Sequence, residues 1–244
     1  GRVAADRYVD GTPARVIEGL APLRRAPRPD AGLDTEVLMG ETVTVYDEDD
    51  EGWSWVQLDR DGYVGWMPAH ALLKAPAAAP THRVAALRTF VYPATSIKEP
   101  PLHWLSFGAR LTVLRETEVA GRRWAITTTG GAVVATHLVA IDAVEPDPVA
   151  VAERFLGTPY LWGGRSSLGL DCSGLVQTAF EACGILLPRD ARELIASGVD
   201  GGHAGGGSTT AGTLVSGKAG ATAATIIQGA APAQAGPYRN RSVK

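Results

Sequence analysis

The sequence predicts an α+β protein: two small β-barrels in tandem, followed by a mixed α/β domain that begins well and then loses its pattern. Three observations predict it. Runs with a period of two recur in two blocks, residues 11–75 and 81–143, as half-buried strands do. A glycine-rich loop then leads into one strongly helical segment that starts at Cys172. Beyond about residue 199 the apolar periodicity stops. The 244 residues suit one or two domains, or three small ones.

Taken in order, residues 1–10 form a tail, GRVAADRYVD, without a signal-peptide pattern and without Met. In the first block LRRAPRPD (23–30) precedes the first alternating run. Gly40 precedes the alternating run Thr42–Tyr46, and DEDDEG turns the chain into Trp53–Leu58. Asp61-Gly62 makes the next turn, before Tyr63–Met67. The second block repeats this plan: Gly108 precedes Arg110–Leu114, Trp124 stands in for Trp55, and Gly130-Gly131 precede Ala132–Val134. PAHAL (68–72) and ATHLV (135–139) close the two copies. The offsets are 68 for the glycines, 69 for the tryptophans and 67 for His70 and His137, so the register holds. Such spacing suits small closed barrels. Trp55 and Trp124 are expected in the cores, Tyr63 and Trp66 at the surface, and the two histidines in structural positions.

KAPAAAPTH (74–82) links the blocks. Asp147 can cap a helix with Pro148 at its first position. Ala152, Phe155 and Leu156 are expected to face inward, with Gly157 ending the helix. The second helix carries Leu175, Val176, Ala179, Phe180 and Cys183 at helical spacing, and Gly184 stops it. Asp190 and Glu193 form a D-x-x-E cap for one more short helix.

Cys172 is the chemical focus. A thiol at a helix N-terminus faces unpaired N–H groups and the positive end of the helix dipole. Both favour thiolate, and cysteine pKa values near 8.5 fall to roughly 3.5–7.5 in such places. Asp171, Ser173 and Gly174 around it suit access rather than burial. Cys183 lies eleven residues on, roughly 16 Å along a helix and too far for a disulfide. Its apolar end of the helix suits a core residue. A carboxylate beside a thiolate raises the thiol pKa, so Asp171 needs another use.

LGTPYLWGG (156–164), LDCSGLVQ (170–177) and LPRD (187–190) together resemble the NlpC/p60 family of cell-wall cysteine peptidases. The dense resemblance covers residues 147–198. It implies a small papain-like fold and hydrolysis of peptidoglycan stem peptides, commonly between D-glutamate and the diamino acid. It implies Cys172 as nucleophile, Tyr160 as an oxyanion stabiliser, and Asp171 as the carboxylate that holds the free amine of an N-terminal L-alanine. Ser173 and Trp162, in the same motifs, are expected at the substrate. The β blocks resemble bacterial SH3-like domains, which often precede such peptidases. By that resemblance Tyr63 is a candidate to wall off the site. No cofactor or metal is implied.

The chain departs from the family at two places. Ala191 stands where a serine often contacts the same amine. The family's general base, a histidine about fifty residues after the cysteine in a strand like GDLVFWKGHVGI, has GTLVSGKAGAT (212–222) as its nearest counterpart, with Gly220 in the histidine position. His203, in GGHAGGG, reads as a loop residue. Residues 199–244 hold 10 Gly and 10 Ala among 46, with one acid and one aromatic, nearer a linker than a core sheet. The domain's C-terminal half is therefore expected to be degenerate or frameshifted.

Two functions follow: a stem-peptide endopeptidase impaired by the missing histidine, or a non-catalytic wall-binding protein with a degenerate peptidase domain. An acyltransferase of the same superfamily fits the Tyr160 and Asp171 context less well. The expected partners are stem peptides or recycled muropeptides. A net charge of −3 gives no reason to expect nucleic acid, and no run approaches a membrane span. Cytoplasm and cell envelope both remain open.

Overall fold

The computed structural model describes residues 9–75 and 77–194. The first unit has seven strands: β1 (Thr12–Val16), β2 (Leu20–Arg24), β3 (Leu33–Leu38), β4 (Thr42–Glu48), β5 (Trp53–Leu58), β6 (Val64–Pro68) and β7 (Leu72–Leu73). They form one continuous sheet in the order β3-β2-β6-β5-β4-β1-β7. Ala14, Leu23, Val37, Val43, Val56, Met67 and Leu72, one from each strand, share a single core, so the sheet curls around its own face. On β5 the inward parity falls on Val56 and Leu58. This puts Trp55 on the outer face, half-buried against Trp66 with ring centroids 5.4 Å apart. The expectation of a core Trp55 is thereby corrected. Trp53 is the buried tryptophan of this strand, and Tyr63 and Trp66 are half-buried rather than exposed.

The second unit holds β8 (His82–Val84), β9 (Arg88–Val91), β10 (His103–Ser106), β11 (Arg110–Leu111), β12 (Val113–Val119), β13 (Arg122–Thr127), β14 (Ala132–Val134) and β15 (Leu138–Ala140). The repeat survives in its pairings: Trp55 lies opposite Trp66, and Trp124 opposite Val134. A one-turn 3-10 helix closes each copy, at Ala69–Ala71 and Ala135–His137. Closure differs, because the second unit is split into three small sheets. Trp124 is buried as expected, packed edge-on against Tyr92. His137 bonds to Thr89 Oγ1 at 2.8 Å, while His70 is exposed.

The third unit comprises α1 (Pro148–Glu153), β16 (Arg165–Ser166), β17 (Gly169–Leu170), α2 (Cys172–Ala182) and α3 (Ala191–Leu194). Asp147 caps α1 by accepting from Val149 N–H at 2.8 Å, with Pro148 at the first position. Ala152 and Phe155 face inward, but Leu156 is 83% exposed, because the helix has already ended at Glu153 and the chain has turned. Gly184 stops α2 with a φ of +80°, a backbone that an L side chain resists. Cys183, at the C-cap, is half-buried rather than core. Burial first, then Glu145 and Asp147, push its thiol up. The expectations for residues 199–244 fall outside the described residues.

The three units are welded together. Leu38 and Met39 of the first unit share a core with Val84, Leu105 and Val133 of the second. Phe107 of the second packs among Val151, Phe155, Leu170 and Ala179 of the third. Arg165, 2% exposed, crosses the junction: Nη1 and Nη2 bond the Glu41 carboxylate at 2.8 and 2.7 Å, and Nη2 reaches Glu181 at 3.1 Å. Its backbone N–H donates to Glu36 Oε2 at 2.8 Å. Glu181 also meets Arg60 at 3.2 Å and Arg110 at 2.9 Å. Burial works against the Glu41 carboxylate, and the Arg165 charge overcomes it, holding the pKa at about 2.

Candidate active site

Cys172 is the first residue of α2. Its own N–H and the next are among the orphan donors of a helix start, with no acceptor inside the helix. The thiol is partly exposed. The loop that delivers it is held by backbone bonds between Leu161 N–H and the Leu170 carbonyl at 3.1 Å, and between Asp171 N–H and the Gly164 carbonyl at 3.1 Å. Gly163, at φ +75°, packs against β3, where an added Cβ would lie 2.8 Å from the Leu33 carbonyl oxygen. The loop thus fits the first β unit only with glycine there.

Asp171 is the N-cap, 8% exposed, and its carboxylate is fully engaged. Oδ1 accepts from Gly174 N–H at 2.7 Å, Arg189 Nη1 at 3.0 Å and Ser173 Oγ at 3.3 Å. Oδ2 accepts from Arg189 Nη2 at 2.7 Å and Gly163 N–H at 3.0 Å. The use that the sequence left open for Asp171 includes capping α2 and pairing with Arg189, which supplies the positive charge. Ser173 is buried in the same network, taking a 2.8 Å bond from Arg189 Nη1, rather than open to a ligand.

Tyr160 stands beside Cys172, 43% exposed, its backbone bridged in parallel to Leu170. Burial, then the neighbouring Cys172 and Asp171, push its phenol up. Trp162, on the same loop, is 68% exposed. Tyr63 comes from the first β unit, and its hydroxyl reaches Asp190 Oδ1 at 3.5 Å. Burial first, then Asp190 and Asp34, push this phenol up too. The structure therefore gathers Cys172, Tyr160, Asp171 and Ser173, with Tyr63 at the edge through Asp190.

Sequence reasoning missed two residues here. Arg189 is buried and also bonds Thr35 Oγ1 on β3 at 2.7 Å. Gln177, fully buried in α2, donates through Nε2 to Asp61 Oδ2 and to the Leu187 carbonyl, both at 2.9 Å. Both lie inside quoted motifs, so motif membership was the available signal. Their partners on the first β unit, Thr35 and Asp61, 154 and 116 residues away, carry none.

The site thus combines a thiol at a capped helix start, a tyrosine beside it and the first β unit packed against the loop that carries them. Residues 157–227 match the model of the NlpC/P60 family, and residues 23–72 match that of the bacterial dipeptidyl-peptidase SH3 domain. The SH3 match covers the first β unit alone. The NlpC/P60 match runs past the described residues into the segment whose composition changes. A γ-D-glutamyl-L-lysine dipeptidyl-peptidase from Bacillus subtilis is 31% identical over 182 residues, 68% of this chain and 58% of that protein. The protein of the same name from Bacillus cereus is 29% identical over 189 residues, 68% of this chain and 55% of that protein. The chain thus spans a little over half the length of these curated relatives. The crystal structure of an NlpC/P60 family protein from Bacillus cereus superposes with a TM-score of 0.62 at 25% identity, covering 75% of this chain and 76% of that one. These matches support the NlpC/P60 family, and the two Bacillus relatives it resembles are named as peptidases.

Proposed function

We propose that this chain derives from a cysteine endopeptidase that hydrolyses peptidoglycan stem peptides at the γ-D-glutamyl–diamino acid bond. The observation that carries the reading is Cys172 at the first position of a capped helix, with Tyr160 beside it. In the reaction the Cys172 thiolate attacks the scissile carbonyl. The oxyanion is held by the Cys172 backbone N–H and the Tyr160 hydroxyl. The amine leaves with a proton from a general acid, and water then cleaves the thioester. The names of the Bacillus relatives support the γ-D-glutamyl linkage. The second β unit repeats the pairings of the first, which supports a tandem pair of SH3-like modules.

A specific observation favours a second reading, a wall-binding protein without turnover. The four histidines among the described residues, His70, His82, His103 and His137, all belong to the β units. No described residue of 147–194 is a histidine. Gly220 occupies the family's histidine position, and we attribute this to a shifted reading frame after codon 198. Loss of one member of a catalytic unit costs on the order of 10⁴–10⁶ in turnover.

Incubation with L-Ala-γ-D-Glu-diaminopimelate and its N-acetylmuramyl form, followed by mass spectrometry, tests the first reading. Slow release of the diamino acid, abolished in Cys172→Ala, is the expected result. Release that survives the substitution overturns Cys172 as nucleophile. Gene sequencing tests the frame: another frame should encode a strand with histidine about fifty residues past Cys172. If neither other frame does, the tail is native and the wall-binding reading stands.

A further inference from the structure

We infer that Arg189 is the positioning residue that compensates the Asp171 carboxylate, one residue before the Cys172 thiol, and that it ties the state of that thiol to the seating of the first β unit. The inference rests on the reading of Cys172 as nucleophile. The problem it solves is physical. Asp171 is needed as the cap of α2, yet a carboxylate adjacent to a thiol disfavours the thiolate.

Arg189 removes the conflict through geometry. Nη1 and Nη2 grip both Asp171 oxygens at 3.0 and 2.7 Å, a two-pronged pairing that fixes the plane of the carboxylate as well as its charge. Nη1 also holds Ser173 Oγ at 2.8 Å, on the residue that follows the thiol. Nε holds Thr35 Oγ1 at 2.7 Å, on β3 of the first unit. All three nitrogens are therefore used, at a residue only 4% exposed. A guanidinium does not deprotonate in the working range, so the compensation holds at every pH where a thiolate could form. Lysine could supply the charge but not the fork.

The charged and titratable groups around this pair come from each packed element. Tyr160 faces Cys172 and Asp171 from the loop, Tyr63 comes from the first unit with Asp34 and Asp190 close to it, and Glu36 neighbours Thr35 on β3. Arg189 acts as a cation on Tyr160, Tyr63 and Glu36 alike. Its removal leaves Asp171 uncompensated and takes a cation away from Tyr160, which neighbours Cys172, and from Tyr63 and Glu36. Because one of its three nitrogens is fixed on β3, a displaced first unit loosens the fork that serves the thiol.

The test is the pH profile of iodoacetamide alkylation of the full chain carrying Cys183→Ser, with urea unfolding as the control for folding. In Arg189→Gln the inflection should move up by about one pH unit. Arg189→Lys should undo most of that shift, since it restores charge. Asp171→Asn with Arg189→Gln, which removes both charges, should return the inflection to the parent's. Thr35→Val, which cuts only the tie to β3, should move it part of the way up. A folded Arg189→Gln protein with an unmoved inflection, or one alkylated more slowly by the same factor at all pH values, overturns the inference, leaving Arg189 merely structural. Should Arg189→Gln fail to fold, the double variant and Thr35→Val decide in the same terms. A Cys172 that resists alkylation throughout overturns the nucleophile assignment as well, so the two failures are distinct.

Discussion

The two ends of α2 are each stapled to the β units by arginine, but with opposite economies. At the N-terminus one Asp and one Arg balance, and every polar atom of Arg189 is used. At the C-terminus Arg60, Arg110 and Arg165 converge on Glu181, with Glu41 as the second acid. The three side-chain nitrogens of Arg60 are buried there without a hydrogen bond. Both arrangements suit the helix dipole, acid at the N-terminus and cations at the C-terminus. Their neighbours differ: the first end opens onto the exposed Tyr160 and Trp162, and the second lies where three units meet. One end borders the Cys172 thiol, the other joins the three units.

Breaking the second end should cost the most. Arg165→Met leaves Glu41 buried without its partner, and urea unfolding should register a loss of about 3–5 kcal/mol. The Cys172 alkylation rate per folded molecule should stay unchanged. If that rate falls with stability, the two ends are not separable. Titrating the same pair is the next largest effect. Glu41 is lowered from 4.5 to about 2 in the folded chain. A lowered acid stabilises fully above its unfolded pKa, and that contribution is lost as pH falls from about 4.5 through about 2. The loss should be on the order of 2–3 kcal/mol, followed as the urea midpoint across that window, and Glu41→Gln should flatten it. Glu36 works in the opposite sense, since burial raises its carboxyl and favours the protonated form in the folded state.

Arg60 contributes less than Arg165 at this end of α2. Burial pulls its pKa down to about 10, so the folded state holds its charge less readily than the unfolded chain. Glu181 keeps Arg110 and Arg165 without it. Arg60→Met should therefore change stability by only about 1 kcal/mol, in either direction. A loss as large as that of Arg165→Met would mean that the 3.2 Å approach of Arg60 to Glu181 outweighs the burial of its guanidinium.

What could be read from the sequence was local. Asp147 and Pro148 announced the start of α1, Gly184 the end of α2, and Cys172 its first residue, because caps and breakers act within a few residues of themselves. The strands were visible because side chains alternate between the two faces with a period of two. Parity misled at Trp55: a bulge between Val45 and Asp47 adjusts its partner strand, and Val56 and Leu58 own the inward face. The networks were invisible for a different reason. Arg165 and Glu41 are 124 residues apart, and Arg189 and Thr35 are 154 apart. In a string, such charges look like any others on a solvated surface. Only the docking of β3 against the third unit gives them meaning.

The smallest expected effect concerns which acid meets a substrate amine. The family resemblance assigned Asp171, but its oxygens already accept five hydrogen bonds, two of them from Arg189. The next acid along, Asp190, is exposed and faces the Tyr63 hydroxyl across 3.5 Å. It follows Arg189 directly, so it shares the turn that grips the N-terminus of α2. An ammonium there would meet an open carboxylate and a phenol oxygen, both acceptors. Exposed ion pairs are worth about 0.2–1 kcal/mol, a factor of roughly five at most. In a Cys172→Ala background, calorimetry should find L-Ala-γ-D-Glu-diaminopimelate bound a few-fold more tightly than its N-acylated form. Asp190→Asn should erase that preference. Asp171→Asn should leave the ratio intact while lowering the unfolding midpoint, since it removes a cap and a buried partner of Arg189. If Asp171→Asn erases the ratio and Asp190→Asn does not, Arg189 must release Asp171 when peptide binds, and the N-terminal network would be a switch rather than a fixed support.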